Sequence, residues 1–418
     1  MKKITFVSAA LVREAHERIH AFVKETPLQY SERLSQMYGA RVYLKREDMQ
    51  SVRSYKIRGA YNRMSLLLPS EKKRGVVCAS AGNHAQGVAL SCSVLAVHGD
   101  VFMPRNTPRQ KIERVRAFGK KYIQVHLVGD TFDDASREAQ QFCIERNAVF
   151  IHPFNDPHVS AGQGTVAVEL LAQSNEKIDV LIAPVGGGGL IAGVSAYLAD
   201  ASPTTSIFGV EPQGAASMTE AILQDAVVTL EKLDTFVDGA AVRTVGDTTF
   251  PVAKKYVSQM VTVAEGHVCA EMIDLYQNEG IIVEPAGALS VAALSLLGSR
   301  IQGKTVVCVV SGGNNDISRY PEIVERSLRF KGLKHYFIIQ FAQRPGALKE
   351  FLCTALGPHD DITRFEYLKK NNRENGPALV GIELRHKDEL ASLESRMQAL
   401  GLVVERLSPQ NPISQFLL

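Results

Sequence analysis

Twenty consecutive uncharged residues, Val180 to Ala199, constrain this chain more than any other stretch. A run of that length could cross a bilayer. Pro184 and the four glycines 186–189 break it, however, and a spanning helix has no use for them. The run reads instead as a buried strand, a glycine loop and a helix. Similar buried strands are expected at Val42–Leu44, Val76–Ala79, Val101–Met103, Ile123–Val128, Val149–His152, Val180–Val185, Ile207–Val210 and Thr305–Val310. Helical patterns follow most of them, as at Arg58–Leu68 and Leu190–Leu198. Continuous Val/Ile/Leu runs alternating with helices define a doubly wound α/β fold, a parallel sheet covered on both faces. Such folds bind ligands beyond the carboxyl ends of their strands.

The texture changes near Tyr320–Lys334, a polar, basic stretch. Beyond it HYFIIQF, RPGALKEFLCTAL, DITRFEYLKK, ALVGIELR, KDELASLESRMQAL and LVVERLS read as strand, helix, strand, strand, helix, strand. That βαββαβ order predicts a ferredoxin-like α+β module. The expected domains are therefore residues 1–325, with a smaller subdomain at roughly 55–155, a linker at 326–334, and a terminal module at 335–410.

Several functions are disfavoured by the residues themselves. The net charge is only +3, with no dense Lys/Arg block, which argues against nucleic acid as a partner. Cys78, Cys92, Cys143, Cys269, Cys308 and Cys353 show no paired spacing and read as reduced thiols packed as small hydrophobes, as in the cytoplasm. The N-terminal MKKITFVSAALV lacks a cleavage site and runs straight into charged helix, so no export signal or membrane partner is expected. His16–His20 spells the zinc-protease pattern HExxH, but Val12, Ala15, Ile19, Phe22 and Val23 make it the polar face of an amphipathic helix. Gly298–Thr305 spells a P-loop, yet the helix precedes it and the strand follows, the reverse of what phosphate binding needs. No metal site is expected.

Four turns of the α/β part carry chemistry. Ser54-Tyr55-Lys56-Ile57-Arg58-Gly59-Ala60 offers a lysine whose amine burial and nearby cations would make nucleophilic, fit for a Schiff base with a carbonyl cofactor. Ser80-Ala81-Gly82-Asn83-His84 ends a strand and opens a helix, where backbone amides can meet a carboxylate. Gly186-Gly187-Gly188-Gly189-Leu190 lets the backbone wrap an anion, without matching the dinucleotide fingerprint. Ser311-Gly312-Gly313-Asn314 places a hydroxyl at the end of another strand, able to bond a ring nitrogen.

In that order, SYKIRGA, SAGNHAQG, PVGGGGL and SGGN resemble the pyridoxal-phosphate enzymes of the tryptophan-synthase β type. Within these, the set is most similar to the biosynthetic threonine dehydratases (threonine ammonia-lyases). QRPGAL and DITRFEYLKK extend the resemblance to that family's ACT-like regulatory module. The resemblance implies pyridoxal 5'-phosphate as cofactor, Lys56 as the residue that holds it and later moves the substrate's Cα proton, and Asn83 as a donor to its 3′ oxygen. It implies that Gly186, Gly187, Gly188, Gly189 and Leu190 cradle the phosphate, that Ser311 faces the pyridine nitrogen, and that Ser80, Ala81, Gly82, Asn83 and His84 hold the substrate carboxylate. Glu284, in VEPAGA, is expected near the site.

The implied reaction takes L-threonine, with L-serine as a second candidate substrate, to 2-oxobutanoate and ammonia, the first step of isoleucine biosynthesis. L-isoleucine is the implied inhibitor, one module rather than two leaves valine activation open, and the implied assembly is a homotetramer. Relatives that racemise serine carry a serine where this chain has Ala81, which has no proton to give. Those relatives also bind a divalent cation; here Glu211 remains, followed by Ala215 and Ser217, so that site is not expected. The rival readings are a catabolic serine/threonine dehydratase, disfavoured by the tail, and a non-catalytic amino-acid sensor, disfavoured by Lys56 and the intact loops.

Overall fold

The computed structural model describes residues 6–367, 373–408 and 411–417. Its contacts divide the chain into two compact units, one ending at Asp316 and the other beginning at Ile317.

The first unit holds two sheets. The larger is built from β1 (Leu28–Tyr30), β2 (Arg41–Arg46), β7 (Val180–Pro184), β8 (Ser206–Pro212), β9 (Gln259–Val263) and β10 (Thr305–Val310), in the order β1-β2-β10-β7-β8-β9. All neighbours run parallel except β1, which pairs antiparallel with β2. The smaller sheet has β3 (Val76–Ala79), β4 (Gly99–Met103), β5 (Ile123–Leu127) and β6 (Val149–Phe150), all parallel in the order β5-β4-β3-β6. The centre strands β3, β7 and β10 are buried along their whole length, which is why they read as unbroken apolar runs. The run from Val180 becomes β7 and the helix Gly189–Ala201. Among the described residues no helix is long and apolar enough to cross a membrane.

A buried ionic cluster joins the elements that lead to the first turn of interest. Arg58 donates to Glu47 through Nε and Nη2 at 2.8 and 2.7 Å, and to Glu169 through Nη1 and Nη2 at 2.6 and 2.7 Å. Lys45 Nζ donates to Glu169 and to the Thr26 carbonyl oxygen, both at 2.7 Å. Burial pushes the Glu47 carboxyl up, but Arg58 and Lys45 outweigh it and hold the group below its ordinary value. The helices Lys56–Ser65 and Pro157–Gln173 touch directly here, since a Cβ on Gly162 would stand 2.5 Å from the Arg58 carbonyl oxygen.

In the second unit, β11 (Lys334–Ala342), β12 (Asp361–Tyr367), β13 (Asn375–Glu383) and β14 (Val403–Arg406) form an antiparallel sheet in the order β12-β13-β11-β14. With the helices Ala347–Thr354 and Glu389–Ala399 this is the ferredoxin-like arrangement. Part of the expected strand DITRFEYLKK, residues 368–370, and the end of the expected module, 409–410, lie outside the described residues.

The structure corrects two boundaries. The first unit ends at Asp316 rather than at 325, and 326–334 is not a linker. Residues 326–330 complete the helix Tyr320–Phe330, and Lys334 already opens β11. The polar composition hid an amphipathic helix that buries Ile323 and Ser327. Glu325 fixes it to β11 by accepting from Tyr336 Oη at 2.9 Å and pairing with Lys334 Nζ at 2.6 Å. The thiols also divide: five are buried, but Cys353 is exposed on the helix Ala347–Thr354.

Removing the cation at the centre of the ionic cluster would leave two buried carboxylates with Lys45 alone. Arg58→Met is therefore expected to cost the first unit about 3–5 kcal/mol, read as a lowered midpoint of its urea unfolding. A loss within about 0.5 kcal/mol, the range of ordinary surface substitutions, would show that the cluster contributes nothing.

Candidate active site

All four turns singled out in the sequence lie past the carboxyl ends of parallel strands. Ser80 follows β3, Gly186 follows β7, Ser311 follows β10, and Lys56 follows β2 after the short helix Glu47–Met49. Three of them are laced together. The Tyr55 amide donates to the Ser311 carbonyl oxygen at 3.1 Å, and the Gly313 amide to that of Arg53 at 2.9 Å. Ser54 and Gly312 form an isolated antiparallel bridge. Asn83 Nδ2 donates to Glu284 Oε1 at 2.6 Å, and Asn83 Oδ1 accepts from Asn314 Nδ2 at 2.7 Å.

The glycine loop joins the same locus through Pro153 and Phe154, which leave β6. Lys56 Nζ donates to the Pro153 carbonyl oxygen at 3.1 Å, and Phe154 lies against the loop so closely that a Cβ on Gly187 would collide with its ring. From the other side the Gly187 carbonyl accepts from Thr249 Oγ1 at 2.7 Å and from the Gly246 amide at 3.2 Å. Gly188 has φ +92°, and a Cβ there would stand 2.7 Å from Met218 Cε and Thr249 Oγ1. The loop thus has packed walls and no room for side chains, while its amides remain unengaged. Among the described residues, none of the amides of Gly186, Gly187, Gly188, Gly189 and Leu190 donates to a protein acceptor. Buried donors in that state call for an anion, and the N-terminus of the helix Gly189–Ala201 adds its dipole. The amides of Ala81, Asn83 and His84 stand likewise at the N-terminus of the helix Asn83–Leu95.

Electrostatics set Lys56 apart. Burial lowers its amine from the ordinary 10.5 to about 8, and the charge of Glu284 only partly opposes the shift. Glu284 is itself pushed up to about 7, first by burial and then by Asp238. Asp238 is paired with Lys111 Nζ at 2.6 Å.

The remaining expected residues fall as follows. Ser311 is buried, and its Oγ donates to the Ala286 carbonyl oxygen at 3.2 Å. Ser80 Oγ accepts from the Gly82 amide at 3.2 Å, which shapes the turn. His84 turns its imidazole into the interior, with Nε2 at 2.8 Å from the Ile151 carbonyl oxygen, and burial drops its pKa to about 3. Only its backbone amide faces the turn. Ala81 presents a methyl group. Glu211 engages both oxygens with the helix Ser217–Gln224, accepting from the Met218 amide at 2.6 Å and the Thr219 amide at 2.8 Å.

Pro153, Phe154 and Thr249 were not anticipated. The dipeptide Pro153-Phe154 after a strand was the one available sign, while Thr249 ends an irregular segment with no pattern of its own.

A partly buried, deprotonation-prone lysine beside an anion-binding glycine loop, at the strand ends of a doubly wound sheet, defines a pyridoxal-phosphate enzyme, and the residues present fit that cofactor. Residues 19–312 match the family described as pyridoxal-phosphate dependent enzyme, and residues 325–417 match the C-terminal regulatory domain of threonine dehydratase. The chain belongs to this pyridoxal-phosphate dependent family and carries that regulatory domain. It is 54% identical over 397 residues to a biosynthetic L-threonine dehydratase of Bacillus subtilis, covering 95% of this chain and 94% of that protein. It is 50% identical over 404 residues to one from Halalkalibacterium halodurans, covering 97% of each. Among solved structures, the processed form of threonine deaminase isoform 2 from Solanum lycopersicum is 40% identical with a TM-score of 0.72, over 78% of this chain and 96% of that one. Maize serine racemase is 31% identical with a TM-score of 0.71, over 78% and 98%.

Two outcomes follow from this geometry. Capture of pyridoxal phosphate by the apoprotein needs the neutral amine of Lys56, so its rate should rise with pH and level off above about 8. A rate still climbing towards the ordinary lysine value would contradict the burial of the amine. Gly188→Ala should weaken pyridoxal-phosphate binding about tenfold, because the free loop would move out of its binding conformation to relieve a left-handed alanine, worth roughly 1–2 kcal/mol, and the contact with Met218 and Thr249, and binding would have to restore both. Fluorescence titration of the apoprotein reads that loss.

Proposed function

We propose that the chain is a threonine ammonia-lyase, converting L-threonine to 2-oxobutanoate and ammonia at the head of isoleucine biosynthesis. The observation that carries this reading is the likeness to biosynthetic L-threonine dehydratases across 95% of the chain, regulatory domain included. The tail separates it from a catabolic serine/threonine dehydratase, and Lys56 with its shifted amine separates it from a sensor.

Pyridoxal phosphate, when bound, supplies the electron sink for the charge left at Cα. Lys56 would hold the cofactor and, once freed by substrate, would take the Cα proton on Nζ; with its pKa lowered to about 8, far more of the amine is uncharged near neutral pH than in an ordinary lysine. The amides of Gly186–Leu190 bind the phosphate, and those of the Ser80–His84 turn hold the substrate carboxylate. The Ser311 hydroxyl would serve as a neutral partner for the ring nitrogen, which would keep the sink mild and favour loss of the β-hydroxyl over transamination. Ala81 has no proton to return to Cα, which disfavours racemisation. Loss of water leaves an enamine of the substrate, which takes up water and releases ammonia and 2-oxobutanoate.

L-isoleucine is the proposed inhibitor. The second unit has a cavity of about 450 Å³ lined by Phe341, Leu348, Leu352, Phe365 and Tyr367, apolar walls suited to a branched aliphatic chain, with Arg344 and Lys349 among its lining residues to meet a carboxylate. A cytoplasmic homotetramer completes the reading.

Release of 2-oxobutanoate from L-threonine, followed with and without L-isoleucine, tests both parts. Turnover should vanish in Lys56→Ala and fall with isoleucine. Turnover indifferent to isoleucine would remove the inhibitor from the reading, and no turnover by the loaded enzyme would remove the substrate.

A further inference from the structure

Asn83, Glu284 and Asn314 come from three separate turns, and their hydrogen bonds form a chain whose polarity is fixed from both ends. At one end Asn314 Nδ2 lies 2.7 Å from the Val52 carbonyl oxygen, a group that only accepts, so the Asn314 amide must present its NH2 there. The same nitrogen lies 2.7 Å from the Asn83 side chain, which must therefore present its oxygen. At the other end the Asn83 NH2 meets Glu284 Oε1 at 2.6 Å. Glu284 is only 5% exposed, and the Asn314 backbone N–H is directed at the same carboxylate. Asn314 Oδ1 is left buried without a partner, which that side chain tolerates only because its NH2 is used twice. Of the two hydrogens on Asn83 Nδ2, one goes to Glu284 and one remains.

We propose that Asn314 and Glu284 are positioning residues that hold the Asn83 carboxamide in one orientation, keeping its second N–H for the phenolic oxygen of pyridoxal phosphate. The proposal rests on the reading of Asn83 as a cofactor ligand. Without Asn314 the Asn83 oxygen has no donor to hold it, and the amide is free to rotate. Without an acceptor at 284 its NH2 loses its anchor. The Asn83 side chain begins a helix of the smaller sheet, whereas Glu284 and Asn314 follow elements of the larger one, so the anchor spans both.

The test uses the full-length apoprotein titrated with pyridoxal phosphate, reading the apparent Kd and the absorption maximum of the bound cofactor. Circular dichroism and melting confirm that each variant folds. Asn83→Ala should shift the maximum and weaken binding, and Asn314→Ala should reproduce both effects, with a loss of roughly 3- to 10-fold in affinity. Asn314→Asp, which cannot donate, should behave like Asn314→Ala. The double variant should be no weaker than Asn83→Ala alone, because the two side chains act as one. Glu284→Gln, which keeps an acceptor oxygen, should restore the spectrum that Glu284→Ala loses. That pair carries the comparison alone if Asn314→Ala fails to fold. If Asn83→Ala changes both readouts and Asn314→Ala changes neither, the positioning role falls and Asn83 stands as a ligand. Additive losses in the double variant would also overturn the positioning role. A silent Asn83→Ala would overturn the ligand reading and the proposal together.

Discussion

The Arg58 guanidinium is the point on which the rest of the catalytic unit turns. It stands two residues beyond Lys56 on the same helix and is held bidentate by carboxylates from two other elements. Glu47 belongs to the short helix after β2, and Glu169 to the long helix Pro157–Gln173. An ion of this kind is costly to bury and worse to leave unpaired. The arrangement therefore tolerates little rotation of the helix Lys56–Ser65, and the direction of the lysine follows from that of its neighbour.

Around that anchor the site is assembled from turns that share one chemistry and differ in task. Two helix N-termini keep unengaged amides for anions, and burial lowers the pKa of the lysine between the strand ends, so that its amine loses its proton more readily. Phe154 covers one side of the glycine loop and Thr249 ties down the other, so the loop is rigid without a side chain of its own. The Glu211 carboxylate accepts from the first turn of the helix Ser217–Gln224 with both oxygens, and burial raises its pKa to about 7.

What the sequence disclosed follows from how locally each feature is determined. The central strands of the parallel sheets were legible because burial on both faces leaves them almost wholly apolar. β1 and β9 escaped because they are short edge strands of mixed polarity, LQY and QMVTV. The strand-end placement of the glycine loop, Lys56 and Ser311 was legible because a strand, a turn of small residues and a helix is a pattern within one stretch of chain. The partnership of Asn83, Glu284 and Asn314 could not be read in that way, since positions 83 and 284 meet only in the folded chain. The direction of the His84 ring escaped for the same reason, since its inward partner is the Ile151 carbonyl of a distant strand end. The last residues of the helix Tyr320–Phe330, from 326 on, read as the start of a linker because a half-exposed amphipathic helix and a polar connection have much the same composition.

The order of the larger sheet bears on how the chain comes to be folded. β2, near the N-terminus, lies parallel to β10, with Arg41 opposite Thr305 and Arg46 opposite Val310. The smaller sheet, by contrast, draws on one continuous stretch between Val76 and Phe150. Contacts local in sequence form early, and pairings that close long loops form late. A chain emerging from the ribosome can thus complete the smaller sheet while β2 still waits for its partner. The reactive lysine is synthesised early, yet its pocket closes only when Ser311 arrives some 250 residues later. Until then the amine is an ordinary exposed one, and the aldehyde it is built to capture has no reason to prefer it to any other lysine in the cell.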